Sequence, residues 1–126
     1  GVFPTKNESK DGFEFIAAVK SYPANSIGLY DMAGNVWELT SDLFNVNYYK
    51  QLDISKTIIN PKGAEKSYSP SNPYQVEYVM KGGSFLCHAS YCASFRISAK
   101  MGVSIDSGSD HMGFRTVASP EMLVSK

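Results

Sequence analysis

Cys87 and Cys92 are the only two cysteines in 126 residues, and they enclose His88-Ala89-Ser90-Tyr91. Two thiols can exchange electrons with each other or hold a soft metal, but only if the backbone brings them together. On a helix, five residues carry the second thiol about 140° around the axis from the first, so the two would not share a face. On a strand they would point to opposite faces. A turn between them lets the sulfurs meet. They then form a disulfide or bind a metal ion, and two thiolates alone suit Cu(I). The plainer reading is two buried small hydrophobes, which free cysteines often are. The flanks draw attention to the pair. Gly82-Gly83 lets backbone or ligand approach closely, and Ser84 and Tyr91 place hydroxyls beside the thiols. His88 and His111 would complete a Cys2His2 zinc set, but their spacing matches no zinc pattern.

The elements that must position this pair are short. Residues 1–13 are rich in turn formers, and 14–19 read as a short strand or a buried connector. Leu29 to Ala33 reads as one helical turn closed by a left-handed Gly34. Val36, Glu38 and Thr40 then alternate with Trp37, Leu39 and Ser41, which is strand periodicity. Residues 45–75 carry Pro61, Gly63, Pro70 and Pro73 and read as a long surface excursion. Val76 to Met80 predicts a strand that stops at Gly82-Gly83. Phe95, Ile97 and Ala99 form a second apolar alternation, Gly102 to Asp110 reads as loop, and Met112 to Ala118 as a closing strand. Short strands, little helix and much loop give an α+β reading with one domain over 1–126.

Composition excludes several classes. Apolar residues make up 43% of the chain, enough for a core and against intrinsic disorder. Twelve basic and twelve acidic side chains cancel, which argues against a nucleic-acid module and a polybasic membrane binder. No apolar run approaches the roughly 20 residues of a membrane span. No repeat of fixed period appears, and two cysteines are too few for a disulfide scaffold. The start at Gly1 has neither an initiator Met nor a signal peptide, so the chain is expected to begin inside a longer polypeptide.

Three motifs carry a resemblance. Gly-Leu-Tyr-Asp-Met-Ala-Gly-Asn-Val-Trp-Glu at 28–38, Gly-Gly-Ser-Phe-Leu-Cys-His-Ala-Ser-Tyr-Cys at 82–92 and Gly-Phe-Arg at 113–115 resemble the formylglycine-generating enzymes, also called sulfatase-modifying factors. The first and last occur across the wider superfamily and specify fold. The Ser84, Cys87 and Cys92 arrangement resembles the active site of the catalytic members. The resemblance implies a C-type-lectin-like fold with little regular secondary structure, of which this chain would be the C-terminal portion, partnered by the N-terminal part of the same domain. It implies oxidation of a cysteine in the Cys-x-Pro-x-Arg motif of an unfolded sulfatase to Cα-formylglycine, with O2 as co-substrate and Cu(I) as cofactor. The wording is nearest to bacterial members, so a cytoplasmic or periplasmic location is expected.

Carried over by residue, the resemblance makes Cys87 and Cys92 the Cu(I) ligands and redox pair, with Ser84, Tyr91 and Trp37 lining the pocket. Core packing is the other role for Trp37, a lone Trp in an alternating strand. The resemblance also implies structural Ca2+ held by the Asp31 and Glu38 side chains with the Gly34 and Val36 carbonyls. A second Ca2+ would use Asp11 and the Phe13 carbonyl, with its other ligands upstream of Gly1. Hard oxygens suit that ion, though Asp11 and Asp31 also fit as plain turn residues. Arg115 reads as an ion-pair or carbonyl partner rather than a substrate clamp. The chain departs from better-known members at Lys100, Ala93, Ser94 and His111, which touches substrate preference more than cysteine chemistry. A non-catalytic binding paralogue, at a cell surface or in a motility system, would share the fold motifs; an iron enzyme forming sulfur–carbon bonds would need ligands from an additional N-terminal bundle.

Overall fold

The computed structural model describes residues 8–87 and 92–124. Four short strands form one mixed sheet: β1 (Trp37–Leu43), β2 (Glu77–Lys81), β3 (Met101–Ser104) and β4 (Met112–Gly113). Their spatial order is β3-β2-β1-β4. β1 pairs antiparallel with β2, β2 antiparallel with β3, and β1 parallel with β4. A 3-10 turn at Tyr48–Gln51 and a final α-helix, α1 (Pro120–Val124), are the only other regular elements among the described residues.

β1 and β2 form where alternation predicts them. Trp37 faces the core at 3% exposure, and Val79 of β2 is buried on the central strand. β2 ends where Gly82 and Gly83 both turn left-handed, at φ 88° and 72°. The register of β1 shifts between Leu39 and Leu43, a bulge after which Leu43 still pairs with Tyr78 of β2. The 45–75 excursion returns through isolated bridges from Leu43 to Ala64 and from Asn45 to Tyr68.

Three expectations are corrected. Leu29 to Ala33 forms no helical turn: Asp31 adopts φ 55°, which breaks a right-handed helix, although Gly34 is left-handed as expected, at φ 82°. The Phe95, Ile97, Ala99 alternation is not a strand. It winds through two turns, with the Arg96 N–H donating to the Ala93 carbonyl and the Ala99 N–H to the Arg96 carbonyl. The third strand begins at Met101 instead, where a loop is expected from Gly102 onward, and the closing strand spans only Met112 and Gly113.

Residues 14–19 are a connector pinned at Ala17, which is buried. Asn35 holds it from 18 residues away: its Oδ1 accepts the Ala17 N–H at 3.0 Å and its Nδ2 donates to the Ala17 carbonyl at 3.1 Å. An amide side chain thus imitates a strand partner. Asn35→Ala leaves a buried amide without a partner, so a loss of about 1–3 kcal/mol is expected in urea unfolding.

Candidate active site

Three loops meet at the end of β2. The first is the bend at 31–36, where Gly34 and Asn35 are both left-handed. The second is the turn at 82–87 and the third the run 92–96. The Gly34 N–H donates to the Gly82 carbonyl at 2.8 Å, and the Phe85 N–H donates to the Asn35 carbonyl at 2.8 Å. Phe15 packs edge-on against Phe85, with ring centroids 6.3 Å apart, which adds the pinned connector to the cluster. The third loop closes on Gly83. A Cβ there would lie 2.8 Å from the Phe95 nitrogen and 3.1 Å from the Ser94 carbonyl carbon, so only glycine admits this approach. The Lys81 ammonium donates to the Ile97 carbonyl at 2.7 Å and ties the far side of that loop to β2.

Two loops fixed side by side bring the cysteines together. Cys87 and Cys92 are joined by a disulfide, with Cα atoms 4.9 Å apart. The reading of two separate buried thiols is therefore overturned, since both residues are bonded and neither is fully buried. Ser84 is buried at 4% exposure. Its Oγ accepts the Leu86 N–H at 3.3 Å, and its carbonyl accepts the Cys87 N–H at 2.9 Å. Ser84 thus builds the turn that presents Cys87. Tyr91 and His88 lie outside the described residues.

Trp37 opens β1, its backbone N–H donating to the His111 carbonyl at 2.8 Å. Its burial matches core packing. His111 Nδ1 is buried without a partner. No group of three or more His, Cys, Asp or Glu side chains among the described residues is arranged to hold a metal.

Two carboxylates, Asp31 and Glu38, lie on the 31–38 segment. Asp31 Oδ2 accepts the Lys20 N–H at 2.9 Å, while its Oδ1 is buried with no hydrogen-bond partner. A buried carboxylate oxygen left without a partner is costly, and a hard cation beside it removes that cost. Glu38 is engaged by Arg115, which donates from Nε to Oε2 at 2.6 Å, from Nη2 to Oε1, and from Nη2 to the Tyr30 carbonyl at 3.1 Å. Arg115 is thus the ion-pair and carbonyl partner its motif predicts. A carboxylate has further lone pairs, so Glu38 can share itself between the guanidinium and an ion.

The Asp11 turn is built differently. Its carboxylate accepts the Phe13 N–H at 3.2 Å and the Tyr22 hydroxyl at 2.8 Å. The Tyr22 hydrogen bond, then the Phe13 amide, hold the Asp11 carboxyl below its ordinary value of 3.8. A depressed carboxyl adds stability above its unfolded pKa and loses it as the pH falls through the folded value, so this hook stabilises above pH 3.8 and its contribution is lost below it. Tyr22→Phe is expected to move the Asp11 titration up toward 3.8, read by carboxyl-resolved NMR.

Asn35, Arg115 and Gly83 hold the site together, and the first and third carry no chemical signal in the sequence beyond the neighbouring glycines.

The fold and site define a class. The chain matches the family described as "Sulfatase-modifying factor enzyme 1-like domain" over residues 1–120, and it belongs to that family. Among its relatives, the formylglycine-generating enzyme of Mus musculus is 37% identical over 94% of this chain and 28% of its own length. That of Thermomonospora curvata is 38% identical over 95% of this chain and 37% of its own length. The "Inactive C-alpha-formylglycine-generating enzyme 2" of Mus musculus is 31% identical over 94% of this chain and 31% of its own length. The chain thus spans about a third of the length of these relatives.

Proposed function

We propose that this chain is the cysteine-bearing portion of an enzyme that converts a sulfatase cysteine, in a Cys-x-Pro-x-Arg context, to Cα-formylglycine. The observation that carries this reading is the cysteine pair, brought together with the sulfurs in bonding contact. On reduction the two thiolates face one shared point, which is the donor set a soft, low-coordinate ion takes. Copper, when bound, supplies the redox centre for using molecular oxygen. Ser84 fixes the turn beneath Cys87, and the Gly83 approach holds the second arm in place. The partnerless Asp31 Oδ1, with Glu38 and the carbonyls of Gly34 and Val36, suits a structural Ca2+ that would brace the first loop. The Asp11 and Phe13 turn would need further ligands from outside the chain.

The overall reaction balances as follows. Replacing a thiol-bearing carbon by an aldehyde releases hydrogen sulfide and two electrons. Oxygen accepts four, and an external thiol pair supplies the other two, giving water and a disulfide.

We read the mixed sheet and its loops as part of a C-type-lectin-like domain completed by an N-terminal portion. The surface supports this. The chain exposes 9706 Å2, whereas a folded monomer of 13.8 kDa exposes about 6,600 Å2. Ala17, Trp37 and Val79 are the only buried apolar residues among those described, while Ile27, Phe114 and Val117 stand more than three-quarters exposed. No described helix is long and apolar enough to cross a membrane.

The test is conversion of a sulfatase-motif peptide by the copper-loaded polypeptide containing this chain. A loss of about 18 Da at the peptide cysteine is expected from the covalent change. An unchanged peptide, in protein shown to bind Cu(I), would assign the chain to the non-catalytic branch.

A further inference from the structure

A cleft on the sheet holds two opposite charges, neither of which makes an ion pair among the described residues. Its volume is about 410 Å3, and Phe44, Val46, Pro70 and Met101 form apolar walls. Glu77 lies in it at 7% exposure. Its Oε1 accepts one hydrogen bond, from Asn72 Nδ2 at 3.1 Å, and no cation pairs with it among the described residues. Oε2 lies against Gly102, where a Cβ would come within 2.6 Å of it and within 2.7 Å of the Phe44 ring. The opposite charge is Lys100, on the same cleft. Its ammonium sits 4.1 Å from the Tyr49 ring centroid and 5.6 Å from those of Phe44 and Tyr48, with no hydrogen-bond acceptor among the described residues. Burial, with Lys81 nearby, holds this amine below its ordinary pKa.

A carboxylate at 7% exposure with one amide donor, and an ammonium held only by ring faces and the more distant Asp42 charge, both still have room for a charged partner. A second surface that brings a base to Glu77 and an acid to Lys100 would complement both. The apolar walls are also open to solvent: Val46 is 47% exposed and Met101 43%. The excess surface of the whole chain, about 3,000 Å2, is of the size buried in permanent interfaces.

We propose that the Glu77–Lys100 cleft is a docking point for the remainder of the domain, which enters it with a segment carrying one basic and one acidic side chain among apolar residues. This rests on the reading of the chain as part of a larger domain, but not on catalysis.

The test is amine reactivity in the polypeptide that contains this chain, with no activity measured. Brief acetylation by an N-hydroxysuccinimide ester, followed by digestion and mass spectrometry, compares Lys100 with the exposed Lys62. An uncovered Lys100 with a depressed pKa reacts as fast as Lys62 or faster. A covered one is expected to react at least about tenfold more slowly, as a buried ion-paired amine does. Glu77→Lys is expected to expel the segment and bring Lys100 up to the Lys62 rate. Equal rates in the unmodified protein overturn the proposal, as does protection that survives Glu77→Lys. Protection that vanishes on dilution assigns the cleft to a second copy and also overturns it.

Discussion

Cys87→Ser and Cys92→Ser are each expected to lower peptide conversion at least about a thousandfold, and the double variant to be no worse than either single one. The reason is that, in the proposed function, the two sulfurs act as a unit. The cysteines' Cα atoms lie 4.9 Å apart, and a site of two donors, as proposed above, would lose its function with either donor. Serine keeps the volume but offers a hard, protonated oxygen that does not bind a soft ion. Cu(I) titration should lose its tight site in both variants. Additive losses, or a single variant that keeps a tenth of the activity, would show that the sulfurs do not work together.

Stability must be separated from this effect. The disulfide closes a small loop, its cysteines separated by 5 in sequence, and such a loop restricts the unfolded chain by about 2 kcal/mol in the chain-entropy account. Both single variants therefore unfold at lower denaturant concentration than the oxidised protein. Compared with reduced protein, they should unfold at nearly the same concentration while remaining inactive. Activity loss without stability loss, against the reduced reference, isolates the chemical role.

Some of this was legible in the sequence because the signal is local. β1 and β2 follow from alternation around Trp37 and Val79, and β2 stops at two glycines that turn left-handed. β3 was not legible because its pattern belongs to its neighbours. Gly102 has a weak strand preference, yet it is required where Glu77 and the Phe44 ring fill the space a side chain would take. The ladder to Glu77–Met80 then sets the strand whatever its composition. Phe95 to Ala99 failed in the other direction. It alternates like a strand, but Phe95 is held against Gly83 and Lys81 holds the Ile97 carbonyl, so the backbone turns. The cysteine spacing narrowed the geometry to a turn without saying what fixes it. The Asn35 clamp on Ala17 spans 18 residues and leaves no periodic trace.

Gly83→Ala tests the mechanical basis of the site. The added methyl meets backbone, with the Phe95 nitrogen at 2.8 Å and the Ser94 carbonyl carbon at 3.1 Å, and no flexible side chain can yield to it. The residue also sits at φ 72°, where any Cβ is strained by about 1–2 kcal/mol. Clash and strain together should cost about 3 kcal/mol or more, at the upper end of single substitutions. The 92–96 arm has to retreat, and Cys92 moves with it while Cys87 stays anchored through Ser84 and Asn35. The expected outcome is slower disulfide formation on oxidation and a weakened Cu(I) site. At Gly108, which also precedes the last strand but has open space around it and an ordinary φ, the same substitution should be nearly silent. Gly83→Ala protein that unfolds normally and binds Cu(I) as tightly as the parent would show that the two arms are positioned by something other than their contact at Gly83.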